Sequence, residues 1–175
     1  MSNKTLPTRP RQLTPELEFF DSADVVVVGL GSAGASAAIE AAALGTSVLV
    51  LEAASAGGGT TAMAGGLIYM GGGTPTQKAC GFEDSTEDMY NYLLMASGPN
   101  ADPARVRLYA DGSLEHYDWL LAQGMEYKPE YYAKKSTNTP GDQGLIYTGN
   151  ETCNEFRAHA APAPRGHKGK AQGED

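Results

Sequence analysis

The sequence predicts an α/β fold that opens with the strand–loop–helix–strand unit of a doubly wound parallel sheet. Three observations predict it. Val25 to Val28 form a short β-branched apolar run, the composition of a buried parallel strand. The G-x-G-x-x-G sequence Gly29-Leu30-Gly31-Ser32-Ala33-Gly34 follows at once. A second apolar strand, Ser47 to Leu51, ends on Glu52, 18 positions after Gly34. Strand, glycine loop, alanine-rich helix, strand and acid stand in the order and spacing of a dinucleotide-binding βαβ unit.

Each element has a physical reason. Gly29 permits the tight turn out of the strand, Gly31 leaves room for a pyrophosphate to approach the backbone, and Gly34 lets the helix sit close to the strand. The helix N-terminus offers unpaired N–H groups and a partial positive charge to phosphates. The helix spans about Ala33 to Leu44, with Ala35, Ala38, Ile39 and Ala42 on one face. Glu52 stands where a carboxylate accepts hydrogen bonds from ribose hydroxyls and disfavours a 2′-phosphate.

A second glycine-rich stretch, 57–73, reads GGGTTAMAGGLIYMGGG. The apolar tetrapeptide Leu67-Ile68-Tyr69-Met70 distinguishes it from a linker, and its glycines and threonines suit a cofactor groove. A helix starts at Ser85, in capping-box register with Asp88, and carries Met89, Tyr92, Leu93 and Ala96 on its apolar stripe. Another has Asp102 as N-cap and Pro103 at its first position, runs to about Gln123 and stops at Gly124, with Gly112 as a bend or break. A short strand is expected at Met125–Tyr127. Residues 1–22, rich in proline and polar groups, read as an arm. Residues 23–157 read as the N-terminal part of a cofactor domain, and 158–175 as a flexible, truncated tail without fixed structure.

A net charge of −8 argues against nucleic acid and anionic membranes as partners. Cys80 and Cys153 form no C-x-x-C, which fits a reduced, cytoplasmic protein. No apolar run reaches membrane-spanning length. His116 reads as structural, and with His159 and His167 in the expected tail the three histidines make no metal site.

The opening motif resembles that of the fumarate reductase/succinate dehydrogenase flavoprotein superfamily. The cluster Gly58-Gly59-Thr60-Thr61, followed by Ala64-Gly65-Gly66, looks like that superfamily's second FAD segment. More narrowly, GGTTAMAGGLIYMGGGT, DGSLEHYDWL, LIYTGNE and PAPRGHK resemble the 3-ketosteroid dehydrogenases, most of all the Δ4-(5α) type. The resemblance covers about Asp24 to Lys168. It implies that Gly29, Gly31, Ser32, Ala33 and Gly34 hold the FAD pyrophosphate and that Glu52 binds the adenosine ribose. It implies further that Gly59, Thr60 and Thr61 line the phosphate and ribityl path, with Ala64, Gly65 and Gly66 near the isoalloxazine.

The implied chemistry is dehydrogenation of a small-molecule steroid ketone. A base removes a proton beside the ketone, and a hydride leaves the adjacent carbon for flavin N5. Tyr131 falls where relatives place an active-site tyrosine, a phenol suited to proton relay or carbonyl polarisation. Tyr132 matches that position equally, and an ordinary half-buried aromatic is the alternative for either. Another fumarate-reductase-like FAD oxidoreductase, or an inactive nucleotide-binding remnant, are the competing readings. The family fold is far longer, its principal catalytic residues lie in later sequence, and the chain is expected to be an N-terminal portion that by itself neither retains FAD tightly nor turns over a steroid.

Overall fold

The computed structural model describes residues 14, 18–134 and 136–170. It forms two compact units, Met1–Ala64 and Gly65–Asp175, each considered by itself. Most of the expected arm over 1–22, and 171–175, lie outside the described residues. The first unit contains β1 (Val25–Val28), α1 (Ser32–Ala43), β2 (Val48–Leu51) and a 3₁₀ segment, Gly59–Met63. Strands β1 and β2 pair in parallel, Val25 opposite Val48 through Val28 opposite Leu51. Asp24 and Ser47 staple their entrances: the Asp24 carboxylate accepts from the Ser47 amide at 2.9 Å and its hydroxyl at 2.7 Å.

Helix α1 packs with small residues inward. The half-buried positions include Gly34, Ala38 and Ala41, spaced one and two turns apart, whereas Ile39 and Ala42, expected on the inner face, are exposed. Gly34 sets this rotation, because its contact with the turn after β1 brings its own side of the helix to the strand. Phe19 and Phe20 are exposed.

The second unit holds β3 (Leu67–Tyr69), α2 (Pro75–Ala79), α3 (Thr86–Ala96), α4 (Pro103–Asp111), α5 (Ser113–Ala122), β4 (Tyr131–Tyr132), β5 (Leu145–Ile146), α6 (Asn154–Arg157) and β6 (Gly166–Lys168). Its sheet runs β3-β6-β5-β4, antiparallel except for the parallel β4–β5 pair. Met70, Tyr117, Leu120 and Tyr127 form its apolar core, with Ile68, Trp119 and Met125 packed against them.

The helix signals hold. Ser85 caps α3 by accepting from the Asp88 amide, Asp102 caps α4 by accepting from Ala104 and Arg105, and Gly112 separates α4 from α5. Gly124, at φ +88°, follows the end of α5.

Two further expectations are corrected. Met125–Tyr127 is not a strand: the Met125 amide closes α5 on the Leu120 carbonyl at 3.0 Å, and the nearest strand is β4. Residues 158–170 are not a tail without fixed structure. Within them, β6 lies between β3 and β5, and Ala163, Pro164, Arg165, Gly166 and His167 are buried. Sheet pairing and side-chain hydrogen bonds order a segment whose composition alone shows no apolar period.

Candidate functional site

The predicted loop is built as its sequence requires. Gly29 leaves β1 at φ +94°, a conformation that L side chains rarely adopt. Its amide extends the β1–β2 ladder, donating to the Leu51 carbonyl at 2.7 Å. A Cβ on Gly34 would strike the Gly29 carbonyl oxygen and meet Val27 Cγ1 at 3.3 Å, so glycine is what allows helix and strand to touch. Gly31, the N-cap of α1, is different: a Cβ there would meet nothing within 4 Å. Glycine at 31 thus leaves clear space in front of the helix N-terminus rather than relieving an internal clash.

Two segments, the end of β2 and Gly58–Thr61, converge on this loop. The Leu30 amide donates to Glu52 Oε2 at 2.7 Å, and the Leu30 carbonyl accepts from the Gly58 amide at 2.6 Å. Thr61 Oγ1 accepts from the Ser32 amide at 3.3 Å. A Cβ on Gly59 would lie 3.5 Å from the Gly31 Cα. Glu52 Oε1 accepts from the Ala54 amide at 2.8 Å. The Ala54 bond, then the Leu30 bond, hold the Glu52 carboxyl below the ordinary glutamate range, so it is ionised at neutral pH. Among the described residues the Ala33 and Gly34 amides make no hydrogen bond, as expected of the first turn of a helix.

The arrangement offers open space, free backbone N–H groups at the positive end of a helix dipole, and an ionised carboxylate one loop away. That is the donor set for a pyrophosphate beside a ribose, and the residues present fit such a group.

The structure therefore brings together Gly29, Gly31, Ser32, Ala33, Gly34, Glu52, Gly59 and Thr61. Thr60 lies in the same 3₁₀ segment and Ala64 is its C-cap. Gly65, Gly66 (φ +75°) and Tyr131 belong to the second unit. Tyr131 sits half-buried in β4, its ring edge-on to Phe82 at 4.8 Å and to Tyr147 at 6.1 Å. Burial raises its phenol pKa, and its hydroxyl makes no hydrogen bond among the described residues.

The second unit also contains a buried polar cluster that patterning does not announce. Arg165 and Asp84 pair with both side chains fully buried, through Nε–Oδ2 at 2.9 Å and Nη2–Oδ1 at 2.6 Å. Gln77 uses its whole amide: Oε1 accepts from the Gly73 and Thr74 amides, and Nε2 donates to Asp84 and to the Pro164 carbonyl. Glu151 accepts from the Tyr69 hydroxyl at 3.0 Å and from the Gly149 amide. His167 is fully buried. Its Nδ1 lies 3.0 Å from the Arg165 carbonyl, which only accepts, so Nδ1 carries the proton and Nε2 accepts from the Thr74 hydroxyl at 2.8 Å. Burial holds the imidazole pKa down to about 4, against the Arg165 bond that favours the charged form. The stretches LIYTGNE and PAPRGHK contribute Glu151, Arg165 and His167 to this cluster, which was the available signal.

No group of three or more His, Cys, Asp or Glu side chains suited to a metal ion occurs among the described residues, and among them no helix is long and apolar enough to cross a membrane.

Comparison with known proteins agrees with the loop. Residues 24–170 match the FAD binding domain family, and the chain belongs to it. Its cofactor is accordingly FAD. Within that family its likeness runs to the 3-ketosteroid dehydrogenases. A 3-ketosteroid-Δ4-(5α)-dehydrogenase from Rhodococcus jostii RHA1, solved in complex with 4-androstene-3,17-dione, is 50% identical with a TM-score of 0.88, over 94% of this chain and 34% of that one. The 3-oxo-5-alpha-steroid 4-dehydrogenase of Comamonas testosteroni is 36% identical over 91% of this chain and 30% of its own length. The urocanate reductase of Eggerthella lenta is 35% identical over 69% of this chain and 19% of its own. The chain thus spans about a third or less of the length of these relatives.

Proposed function

We propose that the first unit cradles the adenosine diphosphate half of FAD and that the chain is the FAD-binding part of a flavoprotein that dehydrogenates a 3-ketosteroid. The observation that carries the first part is the space at Gly31 beside the free Ala33 and Gly34 amides. Gly29 and Gly34 shape the loop, Gly31, Ser32, Ala33 and Gly34 meet the pyrophosphate, and Glu52 takes the adenosine ribose. Gly59, Thr60 and Thr61 line the path toward the ribityl chain, and Ala64, Gly65 and Gly66 run on toward the ring system. Strands β1 and β2 are the start of a larger doubly wound sheet, a reading supported by Val26 and Val28, 52% and 82% exposed on a strand of sheet-core composition.

FAD, when bound, supplies a two-electron acceptor. The protein's share is to bind and orient. Tyr131, whose hydroxyl makes no hydrogen bond among the described residues and whose phenol pKa burial raises, is proposed to polarise the substrate ketone or relay its proton. The likeness to the Rhodococcus enzyme, 50% identical over 94% of the chain, supports a steroid as substrate. The two free cysteines accord with a cytoplasmic setting.

The test is anaerobic addition of a 3-oxo-5α-steroid to the FAD-loaded full-length flavoprotein of which the chain is proposed to be the FAD-binding part. Loss of the visible flavin absorbance is expected. Persistence of the colour with the steroid, together with reoxidation of the reduced flavin by an unsaturated carboxylate, would favour the second reading, a reductase of the kind the Eggerthella relative represents.

A further inference from the structure

The structure assigns Glu52 a task beyond any ribose contact: it is a positioning residue whose carboxylate fixes the phosphate loop in its binding shape before the cofactor arrives. The two oxygens are divided between two backbone donors on opposite sides of it. Oε2 holds the Leu30 amide, inside the glycine loop, and Oε1 holds the Ala54 amide, in the chain leaving β2. The Leu30 peptide is also held at its other end, where its carbonyl accepts from Gly58. The middle of the loop is therefore clamped from β2 on one side and from the Gly57–Thr61 stretch on the other.

Such a clamp matters because glycines leave a loop with many alternative conformations, and a site that is only partly in its competent form binds more weakly by that fraction. It also requires a carboxylate. Both backbone partners are donors, and a carboxylate accepts through both oxygens. A glutamine has one acceptor oxygen and an NH₂ group, so either orientation sets a donor against the Leu30 or the Ala54 amide. An aspartate is one methylene shorter and cannot span both. Each oxygen keeps a lone pair after these bonds, so the clamp and a ribose contact are compatible.

Two measurements on the 175-residue chain test this. The first is an NMR pH titration of the wild-type amides, which needs no variant to fold. No ion pair or charged hydrogen-bond partner of Glu52 exists among the described residues, so its own carboxyl is the group that titrates. The Leu30 and Ala54 amide shifts are expected to move together, with one midpoint below the ordinary glutamate value. Independent or absent titration of the two amides overturns the clamp.

The second compares ADP with 2′,3′-dideoxy-ADP on wild type and E52Q. Hydrogen bonds to a charged group are among the stronger ones, so a loss of roughly tenfold in affinity is expected for 2′,3′-dideoxy-ADP, with a loss at least as large for ADP. If E52Q weakens ADP alone, Glu52 acts through the ribose hydroxyls and the proposal fails. The ligand comparison rests on the FAD reading above. If wild type binds neither ligand, that reading fails, while the amide titration still decides the clamp.

Discussion

Gly34→Ala should damage the first unit from inside, and the size of the damage follows from the geometry. In isolation the change favours the helix, since alanine outranks glycine by about 1 kcal/mol in a helix interior. Against this, the new Cβ would strike the Gly29 carbonyl oxygen, lie 3.0 Å from its carbon and approach Val27 Cγ1 at 3.3 Å. The first two are backbone atoms of a turn held at φ +94°, with no rotamer to move away. Overpacking of this kind costs about 1–3 kcal/mol, and an immovable neighbour puts it at the upper end. The net expectation is a loss of about 1–2 kcal/mol.

Trp119, the chain's single tryptophan, lies in the second unit, so its fluorescence is silent on this change. Native-state hydrogen exchange of the α1 amides is the appropriate assay, and their opening should become about 5–30-fold more frequent. Gly31→Ala is the control. Its Cβ meets nothing within 4 Å and its φ of −85° suits any residue, so α1 protection should change far less while FAD affinity falls. If G34A leaves α1 protection unchanged or improved, the close packing of helix on strand is wrong. If G31A binds FAD as wild type does, the open space is not where the pyrophosphate sits.

Three further outcomes concern the second unit. Arg165→Met strands the fully buried Asp84 carboxylate, and should reduce unfolding free energy by about 3–5 kcal/mol, read by Trp119 fluorescence in urea; a loss under about 1 kcal/mol would contradict burial of the pair. His167 has a folded pKa of about 4 against 6.5 for the free side chain. The unfolded state therefore binds its proton first as pH falls. The stability this residue contributes is complete above about pH 6.5 and declines toward pH 4, by at most about 3 kcal/mol. H167Q should flatten that part of the stability–pH curve, and an unchanged slope would refute the assignment. Among the described residues the buried Tyr127 hydroxyl has no partner, and burial pushes its pKa up to about 12. Tyr127→Phe should accordingly be neutral or stabilising by up to about 1 kcal/mol in the same urea titration, whereas a clear loss would reveal a partner for that hydroxyl.

The first unit was legible in the sequence because its signals are local. Each glycine of 29–34 answers a nearby constraint, and the strand–helix–strand order leaves few arrangements. The inner face of α1 was misjudged because alanine lies on every side of that helix, so hydrophobic periodicity does not distinguish its faces. Helix α2 escaped notice because five residues hold little more than one turn. Its signals were a capping box between Thr74 and Gln77 and a proline at the helix start, and both form.

The second unit was least legible where its chemistry is densest. Asp84 and Arg165 are 81 positions apart, and Thr74 and His167 are 93 apart. No window along the chain sees such pairs. Strand β6 shows why composition misled: alanine, proline, glycine and charge look like a tail, yet Gly166 is where the strand must pass close to its neighbour. A Cβ there would lie 3.0 Å from the Ile146 carbonyl oxygen.

The central claim is that Gly29–Gly34, Glu52 and Gly58–Thr61 together receive FAD. The most direct measurement is a backbone-amide NMR map of the 175-residue chain titrated with FAD. The largest shifts should fall on Ser32, Ala33 and Gly34, with smaller ones at Leu30, Ala54 and Gly58–Thr61. Shifts centred elsewhere, or an unchanged spectrum at millimolar FAD, would contradict it.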